Sequence, residues 1–258
     1  MADAELEPQR KRDRLKEAGK RYMRVPLAVR TSDLPKRAAS AVVMLAIAGT
    51  AVWLGGIWLD GFIAAVALVC FGEFFRLVLR ATNKVSFRFA ALLAGGIYIA
   101  LAAAILVRID NRSLLLLTVA MVICVDTFAY FFGRTLGGPK IAPRISPSKT
   151  WAGLLGGAIG ATVAIGTYLV AGGLLRGFEL DLSVSDAPLL LLAGTVIAVC
   201  AQAGDFLESW MKRKARMKDS SNLIPGHGGV FDRVDGLLPV AIIFGGYLLG
   251  SYPAWATA

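Results

Sequence analysis

The sequence predicts an all-α polytopic membrane protein with about seven transmembrane helices, with eight as the alternative, and a basic cytoplasmic N-terminal tail. The first observation is composition: the 258 residues are 56% hydrophobic and only 18% charged, with a mean hydropathy of +0.63. Soluble domains carry about 25% charged residues. The second is that the apolar residues form long runs of about the length that crosses a bilayer as a helix. The third is that the positive charges lie between these runs.

Seven apolar runs are the predicted spans. The last two are shorter, so a tilted, partly buried or re-entrant element is an alternative there. We predict a tail over residues 1–37 and a single transmembrane catalytic domain over residues 38–258. The runs cover residues 38–59, 61–79, 89–107, 114–132, 151–175, 188–203 and 237–252.

The predicted tail holds eleven Lys or Arg residues and six acidic residues before the first apolar run. A secretory signal has only a short basic region before its apolar core, so we expect a cytoplasmic segment that sets topology. The alternative is a basic strip that recruits anionic lipid, at about 1 kcal/mol per cation.

The distribution of charge supports this topology. With the N-terminus inside, the inner segments hold 24 of the 28 Lys and Arg residues, as the positive-inside rule predicts. The same rule explains the net charge of +10 without a nucleic-acid partner, since no soluble basic domain is present.

Cysteines indicate no disulfide framework and no metal site. Cys70, Cys124 and Cys200 all lie inside apolar runs, where a cysteine usually acts as a small hydrophobic residue. Their spacing matches no metal-binding pattern.

Acidic residues inside apolar runs are costly and indicate function. Glu73 lies one turn before Arg76, and this spacing predicts a local ion pair. The other acids share one depth, the cytoplasmic boundary, which favours a common site. Asp126 and Tyr130 lie on one face at the end of the fourth run, as do Asp205 and Glu208 at the end of the sixth.

The loop over residues 133–150 is rich in Gly, Pro and basic residues. Its last residues, Ser146, Pro147, Ser148, Lys149 and Thr150, precede a predicted helix. A helix N-terminus with a lysine suits phosphate, although Ser or Thr there is also a common helix cap. Both interpretations stay open at this point.

The most polar stretch of the second half runs from Ser209 to Asp235 and holds the only histidine, His227. Gly226, Gly228 and Gly229 surround it, which suggests backbone brought close to a ligand. Carboxylates beside clustered cations fit Mg²⁺ bound with polyphosphate. A transition metal is disfavoured because soft ligands are too few.

This stretch resembles the signature of the phosphatidate cytidylyltransferase family, also called CDP-diacylglycerol synthases. Two shorter blocks, beginning at Asp126 and Ser146, resemble the family in the same order, so the likeness extends from about Val125 onward. The signature positions that match are Ser209, Lys212, Arg213, Lys218, Asp219, Ser221, Ile224, Pro225, Gly226, His227, Gly228, Gly229, Asp232, Arg233 and Asp235.

The resemblance implies a multi-pass enzyme of the bacterial inner membrane with a cytoplasmic active site. It would transfer CMP from CTP to phosphatidic acid, giving CDP-diacylglycerol and pyrophosphate, with Mg²⁺ and with room for a second, monovalent cation. A homodimer is compatible with it. The implied metal ligands are Asp205 and Asp232, supported by Asp126 and Asp235; the implied catalytic residues are Asp205, Asp232, Lys212, Arg213 and His227.

The implied nucleotide-binding residues are Ser146, Pro147, Lys149, Thr150, Lys212, Arg213, Gly228, Gly229, Asp126 and Tyr130. His227 is assigned either to a phosphate or to holding the glycine turn. The chain departs from the family at Ala152, where a glutamate is common, and at Gly236, where serine is frequent.

Two other functions are compatible with these residues. A CTP-dependent lipid-alcohol kinase would place a hydroxyl at the γ-phosphate and need a base, for which His227 is available. A cation transporter would use the buried acids, but they lie at one boundary and do not line a path across the bilayer.

Overall fold

Long helices make up most of the computed structural model, which describes residues 34–176 and 186–251. Within those ranges six helices are long and apolar enough to cross a membrane. This confirms the predicted class: the chain is an all-α, multi-pass membrane protein. The helices are α1 (Leu34–Leu54), α2 (Gly56–Ala81), α3 (Val85–Val107), α4 (Arg112–Thr135), α5 (Trp151–Arg176) and α6 (Ala187–Ala215).

A shorter apolar segment, Leu237–Gly250, stands where the seventh span was predicted. It follows the single turn α7 (Phe231–Val234) and consists of α8 (Leu237–Val240), a π-helical segment (Ala241–Gly245) and α9 (Gly246–Ser251). This length falls short of the ~20 residues of a full span.

Helices α1 and α6 extend beyond the apolar runs from which they were predicted. Helix α1 already begins at Leu34, so Lys36 and Arg37 belong to its first turn, and residues 1–33 of the predicted tail lie outside the described residues. The sixth apolar run ends at Ala203, and the predicted span carried Asp205 and Glu208 at its inner end; α6 includes both and continues to Ala215. The extension is stabilised by ion pairing between Glu208 and Lys212, one turn apart on the same face.

Residues 133–150 were predicted as a turn-rich loop, but α4 continues to Thr135 and the remainder contains a two-stranded antiparallel hairpin. Strand β1 (Lys140–Ala142) pairs with β2 (Ser146–Thr150), with Lys140 opposite Thr150. Gly137 and Gly138 adopt positive φ angles of 64° and 91°, which turn the chain out of α4 into β1.

Helix α6 lies between two apolar clusters. One joins α4, α5 and α6 around Met121, Val125 and Ala198. The other joins α2, α3 and the C-terminal segment around Leu77 and Phe231. Glycines allow the close approach of α4, α5 and α6, as is usual for membrane helices.

The C-terminal segment touches α6 at a glycine. A Cβ atom at Gly204 would overlap the carbonyl oxygen of Asp235 and come within 3.0 Å of Pro239 Cγ. The same contact brings Gly236 next to Asp205, since a Cβ atom at Gly236 would lie 3.3 Å from Asp205 Oδ1. The packing of α8 on α6 thus places the Asp235–Gly236 backbone beside an acidic side chain of α6.

Candidate active site

Two lysine–carboxylate ion pairs bring distant parts of the chain together at one end of the bundle. Lys149, at the end of β2, pairs with Asp205 of α6. Lys212, two turns further along α6, pairs with Glu208 and lies 2.8 Å from Asp232 Oδ1. Asp205 and Glu208 lie one turn apart on α6, and each of them contacts a different lysine.

Acidic residues from three segments surround the ammonium group of Lys149. Burial acts to lower the pKa of Lys149, but the charges of Asp205, Asp126 and Asp235, together with the hydrogen bond to Asp205, outweigh it and raise that pKa above its ordinary value. Lys149 therefore stays protonated at neutral pH. Asp126, Asp205 and Asp235 were predicted as metal ligands and Lys149 as a phosphate-binding residue. The structure brings them near enough for their charges to interact, and both roles stay predictions.

Asp232 is held by three nitrogen donors and lies beside a hydroxyl. Its Oδ1 accepts from Lys212, and its Oδ2 accepts from the backbone N–H groups of Ser220 (2.9 Å) and Gly229 (2.7 Å). Ser220 Oγ lies 2.9 Å from Oδ2 and shares its one hydrogen between Asp232 and Glu73. The Asp232 side chain is 5% exposed. Burial acts to raise the pKa of Asp232, yet the neighbouring Glu208 carboxyl group and the hydrogen bonds from Lys212 and the backbone bring that pKa well below its usual range. Asp232 is thus a charged group fixed in one orientation.

Asp235 lies in a more negative environment. Burial and then the charge of Asp205 raise the pKa of Asp235, while the backbone N–H of Gly236 donates to its Oδ1 at 2.9 Å and acts in the opposite direction. The charge of Lys212 also acts to lower this pKa. Two neighbouring carboxylates repel each other, which favours binding of a further cation beside them.

The glycines around His227 bring the backbone close to the protein's own carboxylates. Gly228 has φ 84°, and a Cβ atom there would lie 2.9 Å from Asp232 Oδ2. A Cβ atom at Gly229 would overlap Ser220 Oγ and come within 2.5 Å of Glu73 Oε2. Their structural role is therefore explained without a ligand, and nucleotide binding by these two glycines stays a prediction.

His227 is tied to the first helix. Its Nδ1 lies 2.8 Å from Ser40 Oγ of α1, and its carbonyl oxygen accepts from Arg233 at 2.7 Å. These contacts agree with a role in holding the glycine turn. Contact with phosphate is left untested.

Glu73 does not form the predicted ion pair with Arg76. Its side chain is directed at the loop that carries Asp232, where it accepts hydrogen bonds from the hydroxyls of Ser220 and Ser221 and from two backbone N–H groups. The prediction was wrong because sequence spacing reveals only nearby partners, whereas these lie about 150 positions away. The signal that was present is an acid inside an apolar run.

The hairpin residues fall into two groups. Thr150 is buried and its Oγ1 accepts from the backbone N–H of Gly153 at 3.0 Å, so it is the cap of α5. Ser146 is also buried, 3.5 Å from Ser148 Oγ, and the Pro147 carbonyl accepts from Lys140. Phosphate binding by Ser146, Pro147 and Thr150 stays a prediction.

Two exposed cations, Arg213 and Lys214, lie near the end of α6. Arg213 is exposed and its Nε donates to the carbonyl of Ile145 at 3.4 Å, which places it beside the hairpin. Lys214 lies over the ring of Trp210, away from the two ion pairs. Tyr130 is 58% exposed and accepts from Arg134, so its hydroxyl does not contact the site carboxylates.

Across the described ranges, no three His, Cys, Asp or Glu side chains converge closely enough to hold a metal ion by themselves. The three cysteines described, Cys70, Cys124 and Cys200, are free thiols. The arrangement instead offers oxygen donors next to fixed cations, which suits the binding of anionic phosphates at a boundary between helices and loop.

Comparison with known proteins identifies the family of this chain. A model of the cytidylyltransferase family matches residues 83–249. Over 133 residues the chain is 47% identical to a phosphatidate cytidylyltransferase of Brucella abortus biovar 1 (strain 9-941), covering 51% of this chain and 44% of that protein.

A second similar protein is a phosphatidate cytidylyltransferase of Rickettsia typhi, 38% identical over 138 residues, covering 53% of this chain and 59% of that protein. The chain spans about half the length of the curated relatives it matches. The matched residues include the hairpin, α6 and the loop that holds Asp232. The chain belongs to the cytidylyltransferase family.

Proposed function

We propose that this chain is an integral-membrane phosphatidate cytidylyltransferase. It would transfer CMP from CTP to phosphatidic acid, giving CDP-diacylglycerol and pyrophosphate for phospholipid synthesis. The names of the similar Brucella and Rickettsia proteins support this reaction. We also propose that it lies in the bacterial inner membrane, with the N-terminus and the active site on the cytoplasmic side, because the basic residues concentrate there.

One observation carries the proposal: Lys149 and Lys212 are fixed against Asp205 and Asp232 at a single end of the bundle. Attack of one phosphate on another brings anions together, so catalysis depends on positioning and on neutralising charge. Lysines that are already oriented by carboxylates can bind the phosphate oxygens with little loss of conformational freedom.

In the proposed reaction a phosphate oxygen of phosphatidic acid attacks the α-phosphorus of CTP. A new P–O bond forms, the bond between the α-phosphorus and the bridging oxygen breaks, and pyrophosphate leaves with the electron pair. A phosphate monoester with a second pKa near 6 is mostly dianionic at pH 7, so no protein base is required. The contact between His227 and Ser40 agrees with a positioning role for that ring.

We further propose Mg²⁺ as the cofactor, and the donor set fits it. Asp126, Asp205 and Asp235 supply only oxygen atoms, and Lys149 is a cation whose charge interacts with all three. Mg²⁺ is commonly held by one or two carboxylates plus substrate phosphates, which agrees with a site that holds no complete ligand set.

When bound, Mg²⁺ would neutralise charge on the reacting phosphates. Asp205, Asp126 and Asp235 would hold it. Asp232 is already engaged by Lys212, Ser220 and Gly229, so we place it behind these ligands, where it orients Lys212. Arg213 beside the hairpin would contact the outer phosphates of CTP.

The test is turnover of purified protein with CTP, dCTP or ATP and phosphatidic acid, with and without Mg²⁺. We expect label from the α-phosphate of CTP in the lipid product, loss of turnover with chelator and recovery with Mg²⁺. Lipid labelled from the γ-phosphate would show a kinase instead. Ion flux without nucleotide turnover would show a transporter.

A further inference from the structure

We infer that Glu73 of α2 is a positioning residue that clamps the loop carrying Asp232, and that α2 is therefore part of the catalytic unit. This inference rests on the proposed function for its effect on turnover, but the clamp itself is a property of the structure. Glu73 lies before residue 83, where the match to the cytidylyltransferase family begins.

The clamp joins the entry and the exit of the loop. At the entry, Ser220 Oγ donates to Glu73 Oε2 at 2.9 Å and Ser221 Oγ donates to Oε1 at 2.5 Å. At the exit, the N–H groups of Val230 and Phe231 donate to Oε1 and Oε2 at 3.1 and 2.7 Å. One carboxylate thus holds together both ends of the loop that contains the Pro-Gly-His-Gly turn.

The surroundings make these bonds strong and their loss costly. Glu73 is 6% exposed, and Phe231, which is 2% exposed, packs edge-on against Phe74 at 6.1 Å between ring centroids. Hydrogen bonds in such a low-dielectric environment are strengthened, and an unpaired donor there is penalised. Val230 and Phe231 have their backbone donors directed at Glu73, so removing its oxygens leaves them without that partner.

Ser220 connects the clamp to the site. Its hydroxyl lies 2.9 Å from both Glu73 Oε2 and Asp232 Oδ2, and its backbone N–H donates to Asp232 Oδ2. Asp232 in turn contacts Lys212. The orientation of Lys212 therefore depends on Glu73 through a continuous set of hydrogen bonds, without direct contact between Glu73 and the proposed substrates.

The experiment compares Glu73→Gln, Glu73→Ala and Ser220→Ala with wild type and with Asp60→Asn. Asp60 lies near the opposite end of the same helix, so it controls for loss of one acid from α2. Glu73→Gln keeps the side-chain volume and one acceptor oxygen, although it places an NH₂ group next to one of the donors. Its effects on exchange and on turnover should therefore be smaller than those of Glu73→Ala, which removes both oxygens. Ser220→Ala tests the same link from the loop side if the Glu73 variants fold poorly.

Two readouts are measured on each full-length variant in detergent. Hydrogen–deuterium exchange should be faster in peptides covering residues 218–234 and unchanged in peptides covering the hairpin, 140–150. Turnover should show kcat lowered about 10- to 100-fold, with little change in KM for CTP, and with Glu73→Gln retaining more activity than Glu73→Ala. Asp60→Asn should match wild type in both readouts.

The outcomes separate the two proposals. Unchanged exchange and unchanged kcat in Glu73→Gln would overturn the clamp. A uniform rise in exchange across all helices in every variant would also overturn it, because Glu73 would then be a general stability residue. If wild type shows no CTP turnover but exchange rises only in residues 218–234, the clamp is supported and the proposed function fails.

Discussion

Lys149 at the end of the hairpin forms an ion pair with Asp205 in α6, 56 positions later in the chain. This pair is the direct link between the hairpin and the acidic side chains of α6. Because the hairpin follows α4 in the chain, the pair also fixes the position of the end of α4 relative to α6. A phosphate that contacts Lys149 would therefore lie beside Asp205.

Replacing Asp205 with Asn should abolish turnover while the protein stays folded. We expect activity to fall at least about 100-fold because the proposed Mg²⁺, which would neutralise charge on the reacting phosphates, loses one of its ligands. Unfolding stability should fall by about 1–3 kcal/mol, because Lys149 loses its ion-pair partner but keeps the charges of Asp126 and Asp235 nearby. Steady-state kinetics and thermal unfolding measure both. The control is Asp110→Asn, an exposed acid between α3 and α4, and near-normal turnover of Asp205→Asn would contradict the assignment.

Lys212→Ala should be far more damaging than Lys214→Ala. Lys212 pairs with two carboxylates that are 3% and 5% exposed, and leaving such charges unpaired costs about 3 kcal/mol. Lys214 is exposed and contacts only the Trp210 ring, a contact that contributes about 0.5–1 kcal/mol. Denaturation and turnover of both variants decide this. An equal loss in the two would mean that the cluster acts only through its total charge.

A partial repair should be possible for Lys212→Ala. Adding Glu208→Gln removes one of the two unpaired carboxylates, so the double variant should recover stability but not activity. If stability does not recover, the cost of Lys212→Ala does not come from Glu208.

Gly228→Ala should inactivate the protein, whereas Gly137→Ala should not. Both glycines have positive φ angles, 84° and 64°, so alanine costs about 1–2 kcal/mol of backbone strain at either. Only at Gly228 would the added Cβ atom press on Asp232 Oδ2, at 2.9 Å; Gly137 has open space. Turnover and stability of the matched pair separate strain from contact, and equal turnover in the two would argue against a role for the Gly228–Asp232 approach.

Thr150→Val should act on stability more than on nucleotide affinity. It removes the hydroxyl that caps α5 and costs about 1 kcal/mol. Thr150→Ser keeps the cap and should resemble wild type. KM for CTP should change less in Thr150→Val than in Lys149→Ala, and a larger change in Thr150→Val would restore phosphate binding as its main role.

The membrane spans could be predicted because a helix in lipid needs a long apolar run. The acidic residues stood out because burying a charge in such a run has a high free-energy cost. The common position of Asp126, Asp205 and Glu208 at the ends of apolar runs was read from the sequence, whereas Asp235 and Lys149 were added from the polar segments and the family resemblance. The end of α6 could not be predicted in this way. Beyond the apolar run, the helix is continued by Glu208 and Lys212, which pair with each other and with Asp232, and such pairing has no hydropathy signal.

Glu73 shows another reason for error, and Thr150 shows why two interpretations stayed open. The partners of Glu73 are mainly loop groups far along the chain, and a sequence motif does not reveal where backbone N–H groups point. Thr150 fitted two interpretations, because a hydroxyl at the start of a helix can serve as a cap or bind a phosphate. Its bond to Gly153 shows the cap, and phosphate binding stays a prediction.

Gly204 and Pro239 together shape the crossing between α6 and the C-terminal segment. Pro239 has no N–H group and cannot donate to the Asp235 carbonyl, the acceptor one turn earlier. That carbonyl lies against the bare Cα of Gly204, where a methyl group would overlap it. Any side chain at position 204 would lift the Asp235 backbone from α6 and draw its carboxylate away from Asp205. The spacing between two acids of the site is therefore set by a residue that carries no functional group of its own.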